Sequence, residues 1–379
     1  MLDRRLLQKI DWMLLASVLS VPLIGLIVLF SAGYNHSSDL PITDISSLYL
    51  KSPSFSKQLM FLLIGVIIMV AAASIPSRWY FTLAPVVYSA SVTLLILVAL
   101  FGTVVKGSRR WLDLGPINLQ PAELTKMGVI LALARILSKL PPPRGGYNFI
   151  QLLSPAILFL VPMALIMKQP DLGTALSLGA VASSMILFAG IRPKLLVALI
   201  FGAMLTLIPL WHSLHQYQKN RIVALFNSEA DPRGTGYHII QSKIAVGSGE
   251  LFGKGYLKGS QTQLEFLPEH TTDFIFSVLA EEWGFLGCVC VICMYLILVW
   301  MLIRVTLKVR DTFSVYLVVG VTSQIAFHAF VNMGMVVGLL PVVGIPLPMF
   351  SYGGSSLLST LFGIGLVFGV YVRRGLVGQ

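Results

Sequence analysis

Residues 263–284, QLEFLPEHTTDFIFSVLAEEWG, take an acidic, histidine-bearing loop straight into an apolar run. The pattern predicts a helix whose first residue is Asp273, with Thr271 or Thr272 as its cap. An aspartate at that point can serve the positive end of the helix alone. It can also be a carboxylate held where water meets lipid, able to take a proton from a substrate hydroxyl. Glu281 and Glu282 follow two turns later. At about 100° per residue, Glu281 is turned roughly 80° from Asp273 and Glu282 faces the opposite way, so at most one shares its cavity. Structural pairing is expected of both.

A second group of ionisable residues stands upstream. KGSRRWLDLG at 106–115 sets Lys106, Arg109 and Arg110 beside Trp111, and QPAELTK at 120–126 follows. Pro121 suits the first turn of a helix. The three-residue spacing of Glu123 and Lys126 then puts a carboxylate and an ammonium on one helix face. Such groups are expensive at membrane depth and by default face a polar cavity. A structural ion pair closing the top of a bundle is the plainer alternative, and the clustered cations also suit anionic lipid headgroups. KQPDLGT at 168–174 reads as a polar turn. LPVVGIPLPMFSYGGSS at 339–356 is uncharged and rich in proline and glycine, which suits irregular backbone packed inside the protein. The stretch 234–260 collects glycine and polar residues, Lys243 among them. His212, His215 and His238 lack any recurring ligand spacing, so no histidine metal site is expected.

The elements that must hold these residues lie in lipid. Of 379 residues, 56% are hydrophobic and only 11% charged, against about a quarter charged in a soluble domain. Apolar stretches of about 17 to 25 residues recur, each long enough as a helix to cross a bilayer. The runs are continuous and do not alternate, which excludes a β-barrel. An all-α, polytopic membrane protein follows, with about ten spans: 12–32, 57–75, 81–102, 121–138, 151–168, 172–190, 193–212, 273–303, 312–338 and 351–372. The fourth is the weakest, because Glu123, Lys126 and Arg135 stand inside it. A basic leader (Arg4, Arg5, Lys9) precedes the first span, which is too long for a signal-peptide core and reads as a retained anchor. With both termini cytoplasmic, every inner connection carries lysine or arginine. The remaining cations concentrate on the outer side, in the 106–126 region and in a long outer loop, 214–272, between the seventh and eighth spans. A loop of that length is usually functional. Cys288, Cys290 and Cys293 fall in one apolar run and read as ordinary helix packing.

Taken together, these motifs in this order resemble the SEDS family of cell-wall proteins, and within it the elongation branch more than the division branch. The resemblance covers nearly the whole chain as a single domain, residues 1–379. It implies a peptidoglycan glycosyltransferase that polymerises lipid II in the bacterial cytoplasmic (inner) membrane, with its active site facing the periplasm or outside. A class B penicillin-binding protein would supply the transpeptidase, resting on the long loop and the outer parts of the eighth and ninth spans. No nucleic acid is involved; the other partners are lipid II and membrane lipids. Carried over by position, the family's essential aspartate falls on Asp273, and its paired acid and base on Glu123 and Lys126. One departure is the longer, polar first outer loop, 33–56, for which the resemblance gives no expectation.

The implied chemistry needs a base for the acceptor hydroxyl, which is Asp273, and cations for the departing polyprenyl pyrophosphate. Arg109, Arg110 and Lys126 are the candidates for the latter, with Lys243 a fourth. A divalent cation, magnesium or manganese, would be held largely by the substrate, because the sequence has no dedicated metal cage. A flippase for the same lipid and a scaffold for the penicillin-binding protein are the competing functions. A flippase should place polar groups along a path through the bilayer, whereas the ionisable residues here cluster at the outer ends of spans.

Overall fold

Backbone groups in lipid have no partner but one another, so each apolar run closes into an α-helix. The computed structural model describes residues 11–34, 51–105, 108–113, 118–214, 216–227, 235–264, 266–267 and 269–374. Arg4, Arg5, Lys9, Lys106, Gly115, His215 and most of the first outer loop lie outside them. In chain order the helices are α1 (Trp12–Ala32), α2 (Pro53–Ser74), α3 (Ser77–Phe101), α4 (Pro121–Lys139), α5 (Phe149–Lys168), α6 (Leu172–Ala189) and α7 (Pro193–Ser213). They continue with α8 (Gln216–Phe226), α9 (Thr235–Ser248), α10 (Ser260–Gln263), α11 (Ile275–Lys308), α12 (Thr312–Val336) and α13 (Gly354–Arg373).

Eight of these, α1, α2, α3, α5, α6, α11, α12 and α13, are long and apolar enough to cross a membrane. α4 has Glu123 in its first turn and Lys139 in its last, and α7 is apolar over Pro193–Thr206. One feature departs from helices alone. β1 (Thr103–Val105), β2 (Ser108–Asp113) and β3 (Asn118–Leu119) form a short antiparallel ribbon between α3 and α4. The stretch between α7 and α11, read from sequence as one long loop, holds the three helices α8, α9 and α10.

Two ends of the bundle are tied by different chemistry. At one end Tyr371 Oη donates to Asp11 Oδ2 at 3.0 Å, and Arg373 caps the carbonyls of Ala73, Ser74 and Ile75. At the other, Gln58 bridges Ser351 O (2.9 Å) and Gly353 N (3.1 Å), and Gln120 N donates to Ser355 Oγ at 3.3 Å. This second end gathers the start of α11, the end of α12 and the irregular segment leading into α13.

α11 is broken near its beginning. Gly284 adopts φ 66° and ψ −163°, so the helical ladder is interrupted there. The chain after α9 fills the gap: Lys254 N and Gly255 N donate to Glu281 O (2.9 Å) and Glu282 O (3.0 Å), while Phe285 N and Leu286 N donate to Glu250 O (2.8 Å) and Leu251 O (3.2 Å). Buried backbone groups must be paired, and here a distant loop pairs those that the break leaves over. The first part of α11 is thereby a separate two-turn helix, clamped from behind.

Candidate active site

Asp273 is half-buried and lies two residues before α11, which starts at Ile275 with Phe274 in the cap position and no side-chain cap bond. The sequence reading, in which Asp273 opened the helix and a threonine capped it, is corrected on both points. Thr272 Oγ1 instead donates back into its own loop, to Glu269 O at 3.3 Å and Glu269 Oε2 at 3.2 Å. Thr271 O accepts from Tyr352 N at 2.9 Å.

The carboxylate rests on the segment that follows α12. Gly344 has φ +76°, and a Cβ placed on it would stand 3.5 Å from Asp273 Oδ2. Asn332, near the end of α12, donates one side-chain N–H to Asp273 O at 2.9 Å and the other to Ile345 O at 2.8 Å. One step along, Gly173 packs so closely on Val343 O that a Cβ there would come within 2.4 Å of it.

That contact brings in the first turn of α6, and with it the upstream cations. Asp171 is buried, caps α6 by accepting from Thr174 N at 3.1 Å, and accepts from Gln120 Nε2 at 3.3 Å. Arg110 lies 3.8 Å from Asp171 Oδ1 and also donates to Gln169 O (3.2 Å) and to Pro170 O. Three of its contacts are therefore internal. Arg109, its neighbour on β2, is exposed. KQPDLGT is thus more than the turn read from sequence, since its aspartate orients an arginine.

Glu123 and Lys126 are paired as the sequence spacing suggests, at 2.8 Å, but they are sealed: their exposures are 3% and 1%. Lys126 Nζ also lies 3.3 Å from His328 Nε2 on α12. An ammonium only donates, so Nε2 must accept and the imidazole is neutral with its proton on Nδ1. His328 and Asn332 stand four residues apart on one face of α12, which places the pair about one turn beneath the residue that holds Asp273. As the side chains stand, Lys126 faces Glu123 and His328 and not an open wall.

Lys243, on α9, is exposed and its stem crosses Gly338 just beyond α12; a Cβ on that glycine would fall 2.1 Å from Lys243 Cε. Glu281 and Glu282 have local structural partners. Glu281 Oε1 accepts from Lys254 Nζ (2.7 Å), Ser260 Oγ (3.1 Å) and Gln261 N (3.1 Å), and Glu282 Oε1 accepts from Ser31 Oγ. Sequence reasoning missed His328, Asn332 and the part played by Asp171. A usable signal existed for α12, because Gln324, His328 and Asn332 repeat every four residues within an apolar helix, and all three are buried. Among the described residues, no three His, Cys, Asp or Glu side chains converge as a metal site.

The chain is similar to known proteins over most of its length. The family model for the FtsW, RodA and SpoVE group, described as cell cycle protein, matches residues 11–374. The peptidoglycan glycosyltransferase MrdB of Escherichia coli K12 is 41% identical over 317 residues, covering 83% of this chain and 85% of that protein. The peptidoglycan glycosyltransferase RodA of Treponema pallidum is 31% identical, covering 96% and 98%. Among solved structures, a chain of a peptidoglycan synthase complex that coordinates polymerization and crosslinking superposes with TM-score 0.79 at 34% identity, covering 96% of this chain and 98% of that one. The rod shape determining protein RodA of Thermus thermophilus superposes with TM-score 0.68 at 31% identity, covering 96% and 97%.

Proposed function

Because the chain belongs to the family of cell cycle proteins that includes FtsW, RodA and SpoVE, we infer that it is an integral membrane peptidoglycan glycosyltransferase of rod-shape elongation, polymerising lipid II into glycan strands. The observation that carries the catalytic reading is the placement of Asp273: a half-buried carboxylate at the end of an apolar bundle, laid against the backbone of Gly344. A base there is close enough to lipid to meet a membrane-anchored sugar and open enough to exchange its proton with water.

Asp273 takes the proton of the acceptor sugar hydroxyl as that oxygen attacks the anomeric carbon of the donor. The bond to the lipid pyrophosphate breaks, and a single displacement from an α-linked donor yields a β linkage with inversion. Negative charge grows on the leaving pyrophosphate, and fixed cations lower the barrier because they need no reorganisation. Arg109 is exposed for this contact, Arg110 is held beside it by Asp171, and Lys243 is exposed with its stem across Gly338, just beyond α12. Glu123 and Lys126 support the site from beneath as a sealed, mutually neutralising pair on α4. A divalent ion would take most of its ligands from the pyrophosphate, since Asp273 alone offers too few oxygens to hold one.

The orientation that suits this chemistry has both termini in the cytoplasm of a bacterial inner membrane and the Asp273 end facing outward. The crosslinking partner is a class B penicillin-binding protein, whose seat is the 214–272 stretch with the adjoining ends of α11 and α12. The purified chain with labelled lipid II, alone and with that partner, tests the function: glycan strands are expected. Movement of lipid II across vesicle bilayers without strand formation would make it a flippase.

A further inference from the structure

We propose that Asn332 is a positioning residue for Asp273, setting the distance between the catalytic carboxylate and the floor of its site; this rests on the glycosyltransferase reading above. Asn332 is wholly buried, and both of its N–H donors are spent on irregular backbone: Asp273's own carbonyl at 2.9 Å and Ile345 O at 2.8 Å. Neither carbonyl lies within a helix or strand. The two segments that meet at the carboxylate, 269–274 and 339–353, are joined by the backbone bond from Tyr352 N to Thr271 O and, immediately beside the point where Oδ2 faces Gly344, by this one side chain.

The cost of this arrangement is visible. Asn332 Oδ1 is buried and has no hydrogen-bond partner among the described residues. An unsatisfied buried acceptor is normally avoided, yet turning the amide to satisfy it would withdraw a donor from one of the two carbonyls. Only a residue with two donors on one planar end fills both needs from this position on α12. Serine, threonine or histidine in its neutral form offers one donor at most. Asparagine is thus chosen for its donors, and those donors act on the backbone that carries the base and do not act on substrate.

The test is lipid II polymerisation by the full chain with its transpeptidase partner, comparing Asn332→Ala and the isosteric Asn332→Asp with wild type, alongside thermal unfolding of each. A displacement of about 1 Å can cost on the order of a hundredfold in rate. The expected result is a kcat lower by roughly ten- to a hundredfold, with KM for lipid II and the unfolding temperature held near wild type in at least one variant. Near wild-type kcat in both variants would overturn the proposal, as would losses that simply follow loss of folded protein. Asp273→Asn is run in parallel: if it retains full activity, the catalytic reading itself has failed, a result distinct from failure of the Asn332 proposal.

Discussion

The Lys126 ammonium lies 3.3 Å from His328 Nε2, so an α4 lysine and an α12 histidine share a hydrogen bond inside the bundle. Glu123 completes the cluster at 2.8 Å. Removing one member of a buried pair strands a charge, which costs about 3–5 kcal/mol, whereas replacing both with apolar groups is often neutral. Glu123→Ala is therefore expected to lower the unfolding temperature sharply in detergent, and Glu123→Leu with Lys126→Met to recover most of it. Equal stability of the single and double variants would show that the charges are not coupled.

His328 offers a finer probe of the same cluster. His328→Gln can place an amide oxygen near Lys126 and should unfold close to wild type. His328→Ala leaves a donor of Lys126 without its acceptor, for a loss of about 1–3 kcal/mol. Indistinguishable unfolding curves for the two would remove the histidine from the account of the pair.

Arg109 and Arg110 are neighbours with different situations, and their variants should separate. Arg109 is exposed, so Arg109→Ala is expected to raise KM for lipid II, with little change in unfolding, by roughly tenfold for one charged contact of about 1.5 kcal/mol. Arg110 is bonded to the carbonyls of Gln169 and Pro170 and faces Asp171. Arg110→Ala should therefore also lower the unfolding temperature. Steady-state kinetics and thermal unfolding of both variants decide it, and identical behaviour would contradict the difference in their surroundings.

The clamp across the break in α11 depends on close backbone approach. A Cβ on Gly249 would stand 1.9 Å from Ala280 O, and one on Gly284 would stand 2.4 Å from Gly253 N at a φ of +66°. Gly247 has nothing within 4 Å of that position and lies in α9, where alanine is favoured over glycine by about 0.5–1 kcal/mol. Gly249→Ala and Gly284→Ala should each lose folded, monodisperse protein, while Gly247→Ala should be neutral or slightly stabilising. Tolerance of alanine at Gly249 would mean that the loop does not sit against α11 so tightly.

Much of the helical frame was legible because lipid leaves continuous apolar runs few alternatives, and helical spacing alone puts Glu123 and Lys126 on one face, but it does not tell a polar cavity from the sealed pair against His328. The break at Gly284 was not legible. EEWGFLG reads as unbroken helix, and only a partner some thirty residues earlier makes the kink affordable by pairing its backbone. Asp171 reads from sequence as a turn residue because nothing local announces that Arg110 reaches it from about sixty residues away. The start of α11 was misplaced by two residues because Thr272 bonds to Glu269 and not forward, a competition that cap statistics do not resolve. Asn332 and His328 were passed over inside an apolar run, although polar groups at four-residue spacing in a membrane helix are costly enough to demand a reason.

The most direct measurement is polymerisation of labelled lipid II by Asp273→Asn, a substitution that keeps the side chain's size and removes its capacity as a base. With unfolding and partner binding unchanged, strand formation should fall by roughly 10²- to 10⁴-fold, the usual worth of a positioned base. Strands made at the wild-type rate by folded Asp273→Asn would contradict the assignment of Asp273 as the group that takes the proton.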